Sequence, residues 1–137
     1  MLKIVISLHI LILGFMIFFM SVVSPTVFKT LNEASAGKFL RTIFPRMFLY
    51  GFILSFLAFL ISFIDSDIRY WSISLTSSIL FLFNTYVITP RINLYRDQFK
   101  AGDLRFETKF KQFHLISVFI FLFQLLGSSF LVILYFL

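Results

Sequence analysis

The chain of 137 residues contains no cysteine. This excludes disulfides, thiolate catalysis and any metal centre built on cysteine ligands. Charge is also scarce: 13% of residues are Asp, Glu, Lys or Arg, against about a quarter in an ordinary soluble domain. Glycine occurs five times, and no Gly-rich loop of the kind that cradles phosphates or a dinucleotide is present. There is no hydrolase motif. The six acidic residues all fall between the apolar stretches. This weighs against a proton or sodium path built on intramembrane carboxylates.

What the chain does have is apolar surface. Sixty per cent of residues are hydrophobic, 22 are phenylalanine, and mean hydropathy is +1.00. A soluble domain of this length has nowhere to bury so much, and runs of about 18 or more apolar residues read as membrane spans. Four are expected, over about 4–24, 47–64, 71–89 and 113–137. The first begins like a signal peptide, with Lys3 before an apolar run, but is too long for one and reads as a retained span. Basic loops at 26–46 and 91–112 and a short polar turn at 65–69 separate the spans. The expected fold is all-α: one polytopic membrane domain over 1–137, a four-helix transmembrane bundle made of two antiparallel helical hairpins.

The net charge of +6 does not point to nucleic acid, because its basic residues flank the spans. The two long loops hold four and six of the twelve Lys and Arg. The positive-inside rule then puts both loops in the cytoplasm and both termini outside, in a bacterial inner membrane. Anionic lipid headgroups are the natural neighbours of the loops. Asn32 and Asp103 are positioned to cap helices, Pro45 suits a first helical turn, and Gly102 suits a break. Ile92, Tyr95 and Phe99 share one helical side, as in an interfacial segment. Val22–Pro25 and Val87–Pro90 match at an offset of 65 residues, the pattern of a duplicated hairpin.

Small and polar residues recur at helical spacing inside the spans. Gly51, Ser55, Ala58 and Ser62 make a close-packing seam on the second span, and Ser74, Ser78, Thr85 and Thr89 make a polar stripe on the third, with Asn84 beside it. On the fourth, His114, Ser117, Gln124 and Ser128 fall within roughly 80° of one another, toward the interior. On the first, Ser7, Gly14 and Ser21 read as the packing face. His9 lies roughly 120–160° from them. It is expected at the interface with solvent access, with a partner subunit or a second interior surface as the alternatives.

The candidate site gathers at the cytoplasmic edge around Phe110…His114…Ser117. His114, Ser117, Arg46, Arg91, Asn84 and Gln124 are the candidate ligand-binding residues, suited to an anionic headgroup or a small anion, or to proton relay at the histidine. The competing reading makes the arginines membrane anchors and His114 a packed residue at a helix start. The two histidines, His9 and His114, also suggest b-type haem. Their depths differ by about 20 Å, too far for one iron unless the fourth helix is displaced by several turns. No metal and no cofactor are expected, with haem b as the alternative.

The chain resembles the transmembrane protein 205-like family, small four-helix membrane proteins also catalogued as a bacterial domain of unknown function. The likeness rests on His9 with Gly14, Pro25 and Phe28, Ala36-Gly37, Phe44-Pro45, Pro90, and Phe110…His114…Ser117. Members often carry Asn a turn beyond that serine, where Ile120 and Phe121 stand here. His9…Gly14…Pro25 is also similar, more weakly, to the first helix of haem-dependent protoporphyrinogen oxidases and of copper-resistance membrane proteins. The lysine of the oxidase pattern has no counterpart among the later spans. The resemblance implies a fold and brings no reaction. The expected function is binding rather than catalysis, as an accessory or assembly subunit of a membrane complex or as a small-molecule or lipid-binding module. The bilayer is the first partner, followed by a membrane protein or a second copy. The alternatives are a haem redox protein and a small exporter acting as an oligomer.

Overall fold

A computed structural model describes residues 1–64 and 67–137. Four helices long and apolar enough to cross a membrane account for nearly all of them: α1 (Leu2–Thr30), α2 (Glu33–Ile64), α3 (Ile68–Lys100) and α4 (Arg105–Phe136). Among the described residues there is no strand. Lipid satisfies no backbone group, so each span must bond to itself, and continuous helices do so. The molecule is a multi-pass membrane protein that meets the bilayer along its helices.

The helices outrun the apolar stretches. The segments 26–46 and 91–112, expected as loops, are helical apart from short breaks at 31–32 and 101–104. The extensions are amphipathic, and their charges bridge between helices. Arg41 of α2 pairs with Asp97 of α3 through both carboxylate oxygens, and Lys100 of α3 meets Glu33 of α2 at 2.5 Å. Asn32 caps α2, its Oδ1 accepting the Ser35 N–H at 2.9 Å. Asp67 and Asp103 accept the backbone N–H groups of Arg69 and Arg105 at 3.0 and 3.1 Å. The guanidinium that hydrogen-bonds each of these carboxyls holds it below the usual carboxylate range. Gly102, at φ 101°, makes the left-handed turn between α3 and α4. The expected turn at 65–69 includes 65 and 66, which lie outside the described residues.

Pro45 lies well inside α2 rather than in a first turn. The helix runs through it and leaves the Arg41 carbonyl without its usual N–H partner. Pro25 and Pro90 are handled differently. Each follows a π-helical turn, Phe19–Val23 in α1 and Asn84–Ile88 in α3. The wider turn relieves the clash between a proline ring and the preceding turn. The two π turns, like the two prolines, stand 65 residues apart. With α2 and α4 each 32 residues long, the two hairpins share one plan.

The helices form a square, α1 against α2, α2 against α3, α3 against α4, and α4 back against α1. The expected seams on α2 and α3 are where these helices meet: Ser55, Ala58, Ser62, Ser74 and Ser78 are all buried. Two apolar clusters fill the interior. One holds Ile12, Met16, Phe48 and Phe81; the other, toward the chain termini, holds Val5, Ile6, Tyr70 and Leu131. Large apolar side chains such as Ile4, Phe18, Phe63, Phe119 and Phe136 point outward.

Gly51 shows how close the seam is. A Cβ there would lie 2.5 Å from the ring of Phe81, which is fully buried and has no room to move. Gly14 has nothing within 4 Å of its would-be Cβ. Gly51→Ala is therefore expected to destabilise the bundle by about 1–3 kcal/mol through overpacking. Gly14→Ala should be neutral or stabilise it by up to about 1 kcal/mol through helix propensity. Thermal unfolding in mild detergent checks both; equal effects would contradict the packing described.

Candidate functional site

The buried face of α1 is Val5, Ile6, His9, Ile12 and Met16, one stripe at helical spacing. This overturns the expected face. Ser7, Gly14 and Ser21 are exposed, and His9 is wholly buried between the two apolar clusters. The reason is local satisfaction. Ser7 donates to the Lys3 carbonyl at 2.9 Å and Ser21 to the Ile17 carbonyl at 2.6 Å, so both can face lipid at little cost. An imidazole has no such partner on its own helix and must turn inward.

His9 finds its partners on two other helices. Nδ1 lies 3.0 Å from Ser128 Oγ of α4, and Nε2 lies 2.9 Å from Ser74 Oγ of α3. Ser74 spends its own proton on the Tyr70 carbonyl at 2.7 Å. The network therefore assigns the imidazole proton to Nε2, which donates to Ser74, while Nδ1 accepts from Ser128. A haem ligand needs a free ring nitrogen, and His9 has none. Ser128 stands fourteen residues along α4 from His114, about 21 Å of rise. The pair does not fit a shared haem.

Further polar pairs stitch the interior. Ser78 donates to Ser55 at 3.0 Å, and Gln124 Nε2 donates to the Ser77 carbonyl at 3.0 Å. Asn84, in the second π turn, is fully buried with both amide atoms unpartnered, as is Gln124 Oε1. Of the six candidate ligand residues, Asn84 and Gln124 thus belong to the bundle interior.

The other four lie at the basic end. A cavity of about 510 Å³ opens there among all four helices, and His114 and Ser117 line it. His114 is exposed on its wall, its ring stacked on Phe110 with centroids 6.2 Å apart. It does not face the interior as expected, because the roughly 80° between His114 and Gln124 carries it off the buried face. Arg46 is exposed and does not reach the cavity. Arg91 also stands outside, its guanidinium 5.6 Å from the Phe113 ring centroid, as a membrane-edge cation does.

The basic residues on the wall are others: Arg41, Arg96 and Lys100. Their signal was in the sequence as Thr89, Asn93, Arg96 and Lys100, spaced three or four apart so that they share one helical side. The acidic partners on facing helices, Glu33 and Asp97, complete it. The depth of the cavity is aromatic, with Phe19, Phe44, Phe48 and Phe121 on its walls. Among the described residues no group of three or more His, Cys, Asp or Glu is placed to hold a metal ion.

These features define a small four-helix membrane protein with one amphipathic cavity at its basic end. The profile of a domain of unknown function, DUF4149, matches residues 8–101. The chain belongs to that family. The match runs from just before His9 to the end of α3 and includes both π turns. No curated protein and no solved structure matches the chain.

The His9 node is testable by double-mutant cycles. His9→Ala and Ser128→Ala should couple by about 0.6–1.7 kcal/mol, the range for hydrogen bonds between membrane helices. Ser7→Ala should couple to neither. Unfolding free energies in detergent give the cycle; strict additivity of His9→Ala and Ser128→Ala would show that the contact carries no stability.

Proposed function

We propose that this protein works by binding, as a membrane-embedded module that takes one amphiphilic small molecule into its basic-end cavity. One observation carries the reading: aromatic walls and cationic side chains line the same space of about 510 Å³. Ligand cavities commonly fall between about 300 and 1,000 Å³ and combine apolar walls with a few convergent polar groups. The spans contain no carboxylate-based relay and no catalytic pair, so binding is the chemistry best served.

The distribution of Lys and Arg supports an inner-membrane orientation with the basic end in the cytoplasm and both termini outside. Lysines beside that end, such as Lys29 and Lys38, suit anionic headgroups. The resemblance to transmembrane protein 205-like proteins agrees with this fold and adds no reaction. An accessory role in a larger membrane complex is compatible with binding and separable from it. Co-purification of one partner at fixed stoichiometry would support the subunit role, and a clean monomer or homodimer would remove it.

Native mass spectrometry of the protein released from mild detergent tests the binding reading. One small amphiphile per chain is expected to be retained or taken up on titration. Val118→Trp, which fills the cavity from its wall, should reduce occupancy at least tenfold while thermal unfolding stays unchanged. A protein that retains none and takes up none across single-chain amphiphiles of differing headgroup would overturn the reading.

A further inference from the structure

The basic-end cavity is not alone. A second, polar cavity of about 250 Å³ adjoins it on the outer side of α2 and α3. The two share four wall residues: Glu33, Arg41, Arg96 and Lys100. The charged cluster is therefore a partition, with aromatic space on one side and polar space on the other.

Charge within the partition is uneven. Asp97 occupies Arg41, and Glu33 occupies Lys100. Among the described residues Arg96 forms no ion pair, though it faces both cavities. With Lys38, which lines the polar cavity alone, four cations stand against two carboxylates; of the two cations outside these ion pairs, Arg96 is the one that faces both cavities. Its guanidinium lies against α2 at residue 37, where glycine leaves the space that a side chain would take. A Cβ there would stand 2.9 Å from Nη2 and 3.1 Å from Nη1. The backbone at Gly37 is thus the floor on which the guanidinium rests.

The aromatic cavity also has a side opening. Beyond its π turn α1 leans on α2 and no longer packs on α4. Met20 and Phe28 of α1 and Val118 and Leu122 of α4 line the cavity and are also exposed, Phe28 at 66%.

We infer that the site selects a single-chain amphiphile with one negative charge on its headgroup, a carboxylate or phosphodiester, that enters from the bilayer between α1 and α4 and is held by Arg96. A planar guanidinium offers parallel N–H donors that match both headgroups. The chain occupies the aromatic cavity and the headgroup sits at the partition. A volume of about 510 Å³ suits one chain rather than two. The inference rests on the binding reading above and adds headgroup charge, anchoring residue and route.

The test uses the full-length protein in neutral nanodiscs and two probes of equal chain, lysophosphatidylglycerol with one net negative charge and zwitterionic lysophosphatidylcholine. The expected result is a preference of about tenfold or more for the anionic probe, the worth of one charge-assisted hydrogen bond. Arg96→Gln should abolish the preference. Gly37→Ala keeps every charge but displaces the guanidinium, and should reduce the preference while thermal unfolding is retained. Glycerophosphoglycerol, the phosphodiester headgroup without a chain, should not compete at matched concentration. Equal binding of both probes, or a preference that survives Arg96→Gln, overturns this inference and leaves the binding reading standing. Full competition by glycerophosphoglycerol overturns the route through the bilayer. Binding of neither probe overturns the inference and the binding reading together.

Discussion

Lipid tails are as apolar as the side chains they surround, so helices in a bilayer gain little by hiding leucine or phenylalanine from lipid. What brings them together is close backbone approach and the cost of leaving polar groups unpaired. The bundle is built on that constraint. Gly51 and Ala58 allow α2 to lie close to α3, and Ser55 with Ser78, Gln124 with the Ser77 carbonyl, and His9 with Ser74 and Ser128 tie the helices by hydrogen bonds. A few phenylalanines, Phe48 and Phe81 among them, pack inside the bundle, and many of the others face outward or line the cavity. The square holds tightest around His9, and the helices part toward the basic end.

The parted end is where charge returns. There α2 and α3 are joined by Arg41–Asp97 and Lys100–Glu33 rather than by serine seams. Exposed ion pairs of this kind contribute little stability each. Their effect here is one of position: they place a rigid wall of charge beneath an aromatic space. The π turns contribute as well, because an i→i+5 turn shifts the faces that follow it and lets α1 bend away from α4.

Much of the fold was legible because hydrophobic length and small-residue spacing report directly on spans and seams. The four spans and the seams on α2 and α3 follow from such patterns, and the cap at Asn32 follows from its residue type. The packing face of α1 was not legible from residue size. Ser7 and Ser21 looked like a seam, but a helical serine satisfies itself on the carbonyl one turn before it, whereas His9 cannot. The helical extensions were obscured because hydropathy ends where charge begins, while the helix continues on cross-helix pairs that only tertiary structure reveals. On the cavity wall, His114 and Ser117 had been candidates from the pattern of their own helix. Arg96 had not, because its placement depends on the glycine facing it, Gly37, 59 residues earlier.

His9 and Ser74 stand 65 residues apart, the same interval that separates the two π turns and the two prolines. They occupy the same place in the two hairpins, and they touch each other. Any axis relating the hairpins must pass through that contact. Had two separate, identical hairpins assembled in this way, the axis would have set each residue against its own copy, imidazole on imidazole or hydroxyl on hydroxyl. Linking the hairpins in one polypeptide lifts that restriction. It permits unlike residues to meet on the axis, and a histidine can then receive a serine there as its complement.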